Sequence, residues 1–310
     1  MPLVSIGVPV YNGEQYLSQA LDSLLAQTFQ DMEILVCDNA STDTTERICR
    51  EYAQRDPRIR YVRNETNIGA GPNFNKAFAL STGKYFKWAA HDDLCAPEFV
   101  ARCVDVMERD NTVAVCTSNI VWIDEHGDTI RRVAYPLDKA DSTRPHERFS
   151  QMSSTNHGCF DVFGLIRRDV LARTALIDSF IGSDRALLAH LSLLGRVYRI
   201  DEDLFFSRDH SQRSIRALRL RDRSSWWDPA LVGKPAYPWW RLLGAYVAIL
   251  RSTPMARATR IRCYASLVVW CRYGWRCLGG EVMLWIASML APRRAAPTSE
   301  SQVDENPGSL

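Results

Sequence analysis

The fold is indicated most directly by residues 85–94, Tyr85-Phe86-Lys87-Trp88-Ala89-Ala90-His91-Asp92-Asp93-Leu94. An aromatic, apolar run of this kind predicts a buried strand that ends in two adjacent carboxylates. In open α/β sheets, ligands bind at the carboxyl ends of the strands. Two like charges side by side at that edge require a cation. The alternative is structural, because Asp93 would also cap a following helix that has Pro97 in its first turn.

The segments before this stretch alternate between strand and helix patterns. Short β-branched or apolar runs predict strands, and apolar residues at helical spacing predict the helices between them. The predicted strands are Leu3–Val10, Met32–Cys37, Arg58–Val62 and Tyr85–Ala90, and the predicted helices cover about 16–25, Thr44–Gln54 and Pro72–Ser81. This alternation predicts an α/β fold with a doubly wound, mostly parallel sheet.

The pattern changes after the carboxylate pair. Short strands are predicted at Val113–Thr117, Asn119–Asp124, Thr129–Val133, Val162–Ile166, Val197–Ile200 and Leu204–Ser207, with a polar stretch over Lys139–Ser154 and a helix over Ser183–Leu194. A hairpin turn at Glu125–Asp128, between the strands Asn119–Asp124 and Thr129–Val133, indicates mixed or antiparallel pairing. We expect this second half to complete the site and not to fold separately.

Composition excludes several classes of protein. The 310 residues are 46% hydrophobic and 24% charged, and the formal net charge is +2. A nearly balanced charge argues against a nucleic-acid partner. The nine cysteines contain no C-x-x-C pair, which argues against a zinc site or a disulfide framework. With no secretory pattern at residues 1–6, we expect a protein of the reducing cytoplasm.

The C-terminal third has a different composition. We predict a catalytic domain over 1–214, a Trp- and Arg-rich helical extension over 215–292 and a disordered tail over 293–310. The basic cluster Arg208–Arg223 would face phosphates or anionic lipid. The uncharged runs are too short to span a bilayer. The extension fits helices lying on the inner face of the cell membrane, or equally an appendage packed on the core or on a second subunit.

Four segments together resemble the family 2 glycosyltransferases. Residues 8–13 (VPVYNG) are similar to the family's first strand and loop, 38–43 (DNASTD) to its second loop, 67–83 to the helix before the metal motif, and 91–93 (HDD) to that motif. The resemblance covers about residues 3–210. It implies the GT-A fold, an inverting mechanism, a nucleoside-diphosphate sugar as donor and Mn²⁺ or Mg²⁺ as cofactor.

The resemblance implies a metal-binding role for Asp93. Asp92 would contact the ribose of the nucleotide or share the metal. A divalent cation held by one or two carboxylates and the phosphates stabilises the charge on the leaving diphosphate. Many family members have a further aspartate where this chain has Ala90. Residues 206–214 (FSRDHSQRS) resemble a further segment of the family. There His210 would complete the metal shell, and Arg208 or Arg213 would neutralise phosphate oxygens. The alternative for His210 is an ordinary surface residue.

The resemblance also implies a pocket for the nucleotide base. Asp38 or Asn39 would hydrogen-bond the base, and Asn39, as both donor and acceptor, would suit uracil or thymine, which favours a UDP- or dTDP-sugar. Pro9 and Tyr11 would line the pocket. The same Asp38-Asn39 pair would also form an Asx turn before a helix, and a tyrosine at a strand end is often a core residue.

An inverting transferase needs a carboxylate to deprotonate the acceptor hydroxyl. Residues 181–187 (IGSDRAL) resemble the family's acidic segment at the start of a helix, which makes Asp184 the candidate base. The alternative is a helix N-cap together with Ser183.

The function predicted is transfer of a sugar to a glycan or lipid-linked acceptor in cell-surface polysaccharide synthesis, with acceptor contacts from the loop Asn156–Phe163 and the basic C-terminal region. A nucleotidyltransferase is the first alternative, but residues 9–16 contain only Gly13 and no basic residue. A non-catalytic protein of the same fold is the second, although Asp92, Asp93 and Asp184 are all present. An oxidoreductase is disfavoured because no G-x-G-x-x-G follows the first strand.

Overall fold

The computed structural model describes residues 1–211, 213, 225–227, 229–232 and 237–290. Within them, nine strands form one sheet with the order β3-β2-β1-β4-β8-β6-β9-β5, and β7 pairs with β6. The strands are β1 Val4–Val10, β2 Met32–Asp38, β3 Ile59–Arg63, β4 Tyr85–Trp88, β5 Leu94–Cys95, β6 Val113–Ile123, β7 Thr129–Arg132, β8 Leu165–Arg167 and β9 Arg196–Arg208. The helices are α1 Leu17–Leu25, α2 Thr45–Arg55, α3 Ala70–Ala79, α4 Phe99–Arg109, α5 Pro145–Ser154, α6 Arg168–Leu171, α7 Ser183–Leu194, α8 Pro238–Ser252 and α9 Arg257–Leu290, with a 3₁₀ turn at Phe160–Phe163.

The first half is the parallel α/β unit that the alternation predicts. β1 lies between β2 and β4, and β3 pairs with β2, all in parallel. Val4, Ile6 and Val8 of β1 are fully buried because helices cover both faces of a parallel sheet. The carboxyl ends of β1, β2 and β4 therefore meet at one edge, which positions the loops that follow them.

The second half mixes strand directions, as expected. β8 runs antiparallel to both β4 and β6, whereas β9 runs parallel to β6 and antiparallel to β5. The pairing of β5 with the end of β9 brings Leu94 opposite Phe206, so the chain just after the carboxylate pair lies beside the segment that leads to His210.

Two details of the sequence-based prediction were wrong. The predicted strands Val113–Thr117 and Asn119–Asp124 are one strand, β6, and the two predicted strands within 197–207 are the single strand β9. The polar residues taken for turns lie at register shifts, where Ser118 pairs with Ile200 and Asn119 with Asp203. There the Asn119 amide donates to Asp201 at 3.0 Å, so a side chain supplies a hydrogen bond across the irregular ladder.

The polar stretch 139–154 contains a helix, α5. Pro145 lies in its first turn, and Phe149 and Met152, three positions apart, are fully buried on one face. Arg148 is also buried because it donates to the carbonyl oxygens of Ser192 at 2.6 Å and Ser142 at 2.7 Å. Buried polar groups are tolerated in a core where such partners exist.

The two C-terminal helices pack on this half of the molecule. The Tyr246 ring of α8 lies 5.9 Å from the Phe149 ring and 5.8 Å from the Trp270 ring of α9, both edge to face. Glu281 of α9 accepts the backbone N–H groups of Trp239 and Trp240 at 2.9 and 3.1 Å. A carboxylate at a helix N-terminus is stabilised by the helix dipole. α8 and α9 thus share one hydrophobic core with α5 and α7.

Neither of these helices, nor any other in the part of the chain that the structure describes, has a stretch long and apolar enough to cross a bilayer. The predicted domain boundary at 214–215, the basic residues Arg216, Arg219, Arg221 and Arg223, and the predicted tail over 293–310 all lie outside the described residues.

Candidate active site

The loops after β1 and β2 are joined to each other at the carboxyl edge of the sheet. The backbone N–H of Asn12 donates to Ser41 Oγ at 2.9 Å, and that of Gly13 donates to Thr45 Oγ1 at 2.9 Å. In return, Asn12 Oδ1 accepts the N–H of Thr42 at 2.8 Å. Gly13 has to be small because a β-carbon there would lie 2.8 Å from the His91 ring, beside the acidic pair. These contacts bring all three strand-end loops to one place.

Asp92 and His210 form a close pair. His210 Nε2 lies 2.8 Å from Asp92 Oδ2, and the edge of the Tyr16 ring contacts the imidazole, with the ring centroids 4.8 Å apart. An ionised carboxylate only accepts hydrogen bonds, so Nε2 is the protonated nitrogen, and in the neutral imidazole Nδ1 then carries the lone pair. Nδ1 is buried and has no hydrogen-bond partner among the described residues.

Asp93 is held by the end of β9. Its Oδ1 accepts the backbone N–H of Arg208 at 2.8 Å, and the Ser207 hydroxyl also donates to the carboxylate. Burial and then the neighbouring charge of Asp92 raise the pKa of Asp93. For Asp92 burial acts in the same direction, but His91, the hydrogen bond from His210 and the charge of Arg213 together lower its pKa. The opposed pKa shifts indicate that, among the residues the structure describes, Asp92 is compensated by positive charge and Asp93 is compensated only in part.

Arg208, a predicted nucleotide ligand, lies inside the protein. Its guanidinium is fully buried and donates to the backbone carbonyls of Asp92, Asp124 and Glu125 at 3.0 Å each and to Gln19 Oε1 at 2.7 Å. The same group lies 4.7 Å from the centroid of the Tyr16 ring. In this arrangement Arg208 joins α1, the acidic loop and the turn after β6.

Arg213 is the partly exposed cation beside the acidic pair. It donates at 3.2 Å to the Ser207 hydroxyl and at 3.4 Å to the Arg208 carbonyl, and it lies over the rings of Trp122 and Phe160. Its charge lowers the pKa of both Asp92 and Asp93. These contacts are longer than those of Arg208, so the Arg213 guanidinium is the more available of the two for an anionic ligand.

Asp38, a predicted base contact, is buried among partners within the protein. Its Oδ1 accepts the N–H of Ser41, three residues later, at 2.9 Å, so it caps this loop locally, although not through the two-residue Asx turn given above as the alternative. Its Oδ2 accepts the Tyr61 hydroxyl and an Arg63 N–H, each at 2.7 Å.

Asn39 lies in a buried amide network. Its side chain donates to Asn67 Oδ1 at 2.8 Å and accepts Asn64 Nδ2 at 2.9 Å and the Ile68 N–H at 3.0 Å. Pro9 is likewise buried within β1. Tyr11, by contrast, is 42% exposed at the open side of the same edge, so its ring is accessible to a ligand.

Asp184 stands in the first turn of α7. Its Oδ1 accepts the N–H of Arg185 at 2.8 Å, and Cys159 lies close enough to lower the pKa of the carboxyl. Burial raises the pKa of Asp184 above its usual value, which suits a group that takes up a proton. Phe160, next to Cys159, lies under Arg213, and this contact connects Asp184 to the acidic pair.

Asp92 therefore contacts both His210 and Arg208, and Asp93 contacts Arg208. Asp184 lies beside Cys159, whose neighbour Phe160 contacts Arg213. Sequence reasoning did not identify Tyr16 or Gln19 as neighbours of the site. Tyr16 is the N-cap of α1, and Gln19 follows three positions later on the same side of the helix. Nothing in the local sequence indicates what this side of the helix contacts.

The donor set fits a divalent cation. No preformed cluster of three or more His, Cys, Asp or Glu ligands occurs among the described residues. His210 Nδ1 nevertheless has no hydrogen-bond partner in the described part of the chain, and in the neutral imidazole it can bind a metal ion. Burial and the charge of Asp92 raise the pKa of Asp93, so a cation beside it would stabilise the ionised carboxylate. A carboxylate that binds one imidazole nitrogen commonly orients the other toward a metal. A mixture of oxygen and imidazole ligands suits Mn²⁺ better than Mg²⁺.

Comparison with known proteins agrees with this fold and site. The model of glycosyl transferase family 2 matches residues 5–174. An uncharacterized glycosyltransferase of Nostoc sp. is 30% identical over 219 residues, which cover 67% of this chain and 65% of that protein. One from Rickettsia felis is 34% identical over 166 residues, 51% of this chain and 26% of that protein. Chondroitin synthase of Escherichia coli is 36% identical over 130 residues, 42% of this chain and 19% of that enzyme. The chain thus spans only a minor part of the length of the last two relatives.

Solved structures share the fold. Residues 1–349 of S. aureus TarS in complex with UDP give a TM-score of 0.62 at 17% identity, over 86% of this chain and 71% of that one. The mannosyltransferase PcManGT of Pyrobaculum calidifontis, in complex with GDP-Man and Mn²⁺, gives 0.52 at 20% identity, over 94% and 81% of the two chains.

The mixed sheet, with an acidic pair at its carboxyl edge, has the GT-A fold of these structures. More particularly, the chain belongs to glycosyltransferase family 2, whose model covers more than half of it.

Proposed function

We propose that this protein is an inverting, metal-dependent glycosyltransferase that moves a sugar from a UDP- or dTDP-sugar to a glycan or lipid-linked acceptor in cell-surface polysaccharide synthesis. The observation that carries the proposal is the contact between the Asp92–Asp93 pair and His210, in which one imidazole nitrogen is left for a cation. Chondroitin synthase, a relative, and TarS, a structural neighbour crystallised with UDP, support the substrate class.

Asp93 and His210 would hold Mn²⁺ or Mg²⁺, and Asp92 would orient His210 and contact the ribose or the metal. A bound divalent cation supplies charge stabilisation for the departing diphosphate. Arg213 supplies a further positive charge at the same place. Arg208 fixes the backbone of the acidic loop from behind, so the carboxylates are positioned before the donor binds.

The nucleotide would lie across the loops after β1 and β2, with its base stacked on Tyr11. Asp38 and Asn39 hold the second loop through the contacts described above, and a base contact from either side chain is part of the proposal. Asn39→Ala should lower nucleotide affinity, but it also removes the partners of Asn67, Asn64 and Ile68 and should lower the unfolding temperature. Tyr11→Ala, at an exposed side chain, is the cleaner test, because it should lower nucleotide affinity without changing thermal unfolding.

Asp184 would act as the general base. Its raised pKa and its position in the first turn of α7 allow it to accept the proton of the acceptor hydroxyl as that oxygen attacks the anomeric carbon. Attack in line with the leaving diphosphate inverts the anomeric configuration. Proton NMR of the product would test this, because the anomeric coupling of the transferred sugar should be opposite to that of the donor. Retention of configuration would contradict the proposal.

We further propose that α9 rests on the inner face of the cell membrane. Large apolar side chains are exposed along it: Ile261, Val268, Val269, Tyr273, Trp275, Val282, Met283, Leu284, Ile286 and Met289. Arg272 and Arg276 lie among them, and Glu281, the one acidic residue of α9, is buried against α8. Apolar residues interleaved with arginine favour an anionic lipid surface.

Vesicle sedimentation tests this surface. The full chain should sediment with vesicles containing phosphatidylglycerol and less with neutral ones, and Trp275→Glu with Met283→Glu should release it. Point substitutions are preferable to deletion because α8 and α9 share the core with α5 and α7. Failure to sediment with anionic vesicles, or a dimer that dissociates in the variant, would contradict a membrane role.

A further inference from the structure

A cavity of about 320 Å³ lies between β6, the segment after β7 and the loop before β8. Its volume is at the lower end of the range for small-molecule sites, about 300–1,000 Å³. Ile120 and Leu137 form apolar walls, Tyr135 and Phe160 contribute aromatic rings, and Asp161 contributes a carboxylate. The cavity contains none of the residues assigned above to the nucleotide or the metal.

Asp161 is only 2% exposed and is incompletely compensated by the protein. Its Oδ1 accepts the Tyr135 hydroxyl at 2.8 Å, and Arg199, which lies over the Tyr135 ring at 4.5 Å, contributes a favourable charge. Burial outweighs both and raises the pKa of Asp161 to about 6. A carboxylate accepts several hydrogen bonds, so Asp161 retains capacity for donors that enter the cavity. A buried carboxylate without such donors destabilises the fold.

The cavity adjoins the candidate base. Cys159 lines it and lies beside Asp184, so that each side chain influences the pKa of the other. Arg185, the next residue of α7, donates to the carbonyls of Thr155 and His157 at 2.8 Å each, which fixes the loop of the cavity to the helix that carries the base. On the other side, Phe160 contacts Arg213 beside the acidic pair.

We propose that this cavity binds a sugar ring of the acceptor, with Asp161 and Tyr135 hydrogen-bonding its hydroxyl groups and the aromatic and aliphatic walls contacting its C–H faces. This inference rests on the proposed transferase function and assigns the acceptor's chemistry. A carboxylate beside an aromatic ring matches a pyranose, which presents neighbouring hydroxyl donors at its edge and an apolar face. Asp161 is thereby a specificity-determining residue for the acceptor.

The test uses the full chain with UDP and Mn²⁺ and three probes: the methyl β-glycosides of glucose, galactose and N-acetylglucosamine. Saturation-transfer NMR at pH 7.5 should detect at least one of them. Asp161→Asn should weaken that binding by about tenfold or more, because a hydrogen bond to a charged group is replaced by a neutral one. Tyr135→Phe should weaken it as well. Asp105→Asn, which removes a surface carboxylate of α4, is the matched control.

Calorimetric titration with UDP and Mn²⁺ on the same samples separates the two proposals, because neither variant touches the residues assigned to the nucleotide. Loss of glycoside binding with unchanged UDP affinity supports the cavity as an acceptor subsite. Binding of no glycoside, or binding that survives both Asp161→Asn and Tyr135→Phe, overturns it. Absence of UDP binding in the wild type would count against the transferase proposal alone.

Discussion

Arg208 and Arg213 lie five positions apart, and the structure predicts different effects of replacing them. Replacing Arg208 should lower stability, and replacing Arg213 should lower nucleotide affinity. Replacing Arg208 with methionine removes the donors of three backbone carbonyls and of Gln19. Each buried acceptor left without a donor costs about 1–3 kcal/mol. Two of the carbonyls belong to Asp124 and Glu125, which are partly or fully exposed so that water can replace the guanidinium. The Asp92 carbonyl and Gln19 Oε1 then account for the loss, at about 1.5 kcal/mol each, which gives about 3 kcal/mol in the free energy of unfolding.

For a domain of this size, a loss of about 3 kcal/mol lowers the unfolding temperature by roughly 6–12 °C. Arg213→Met should lower it by no more than about 2 °C because its contacts are long and partly exposed. The same variant should weaken UDP binding about tenfold or more if Arg213 meets the diphosphate. Differential scanning calorimetry and nucleotide titration of both variants form the assay.

The refuting result is specific. If Arg208→Met unfolds at the wild-type temperature but no longer binds nucleotide, the guanidinium acts on the ligand and the positioning role is wrong. If Arg213→Met binds nucleotide as the wild type does, Arg213 does not contact the diphosphate.

Two further predictions concern buried carboxylates. Asp184→Asn should leave UDP affinity unchanged and lower turnover by about 10²-fold or more, the usual range for a positioned general base, as measured by nucleoside diphosphate release; undiminished turnover would exclude Asp184 as the base. Asp161→Asn should stabilise the ligand-free protein increasingly as the pH rises. Folding raises the pKa of Asp161 from 3.8 to about 6. The stability that the protonated carboxyl contributes is therefore fully present below about pH 4 and is lost as the pH rises through 6. By pH 8 the free energy of unfolding of the wild type has fallen by about 3 kcal/mol on this account. Thermal unfolding at pH 4.5 and pH 8 checks this, and an equal effect of the substitution at both would contradict it.

The parallel half of the fold could be predicted from the sequence almost to the residue because periodicity and strand-end loops are local signals. The predicted strand Met32–Cys37 and helix Thr44–Gln54 correspond to β2, which extends to Asp38, and to α2, which covers Thr45–Arg55. The continuity of β6 and β9 could not be predicted in this way. Their polar interruptions look like turns until the two strands are paired and Asn119 is seen to bond Asp201.

The site was predictable where its residues adjoin one another in motifs. Asp92 with Asp93, and Arg208 with His210, are such pairs, and the structure brings both together. The partners of Arg208 were not predictable because they come from α1 and from the turn after β6. Asp161 lay within the predicted acceptor loop, but its relation to Tyr135, 26 positions earlier, depends on tertiary packing alone.

The most direct test of the central claim is calorimetric titration of the full chain with UDP, dTDP, GDP and CDP, each with Mn²⁺ and with EDTA, beside an Asp93→Asn variant. We expect UDP or dTDP to bind in the presence of Mn²⁺ and EDTA to weaken this binding. The Asp93→Asn variant should lose the metal-dependent part of the nucleotide affinity. Equal binding with Mn²⁺ and EDTA, or an Asp93→Asn variant that binds as the wild type does, would contradict a metal-assisted nucleotide site at the acidic pair.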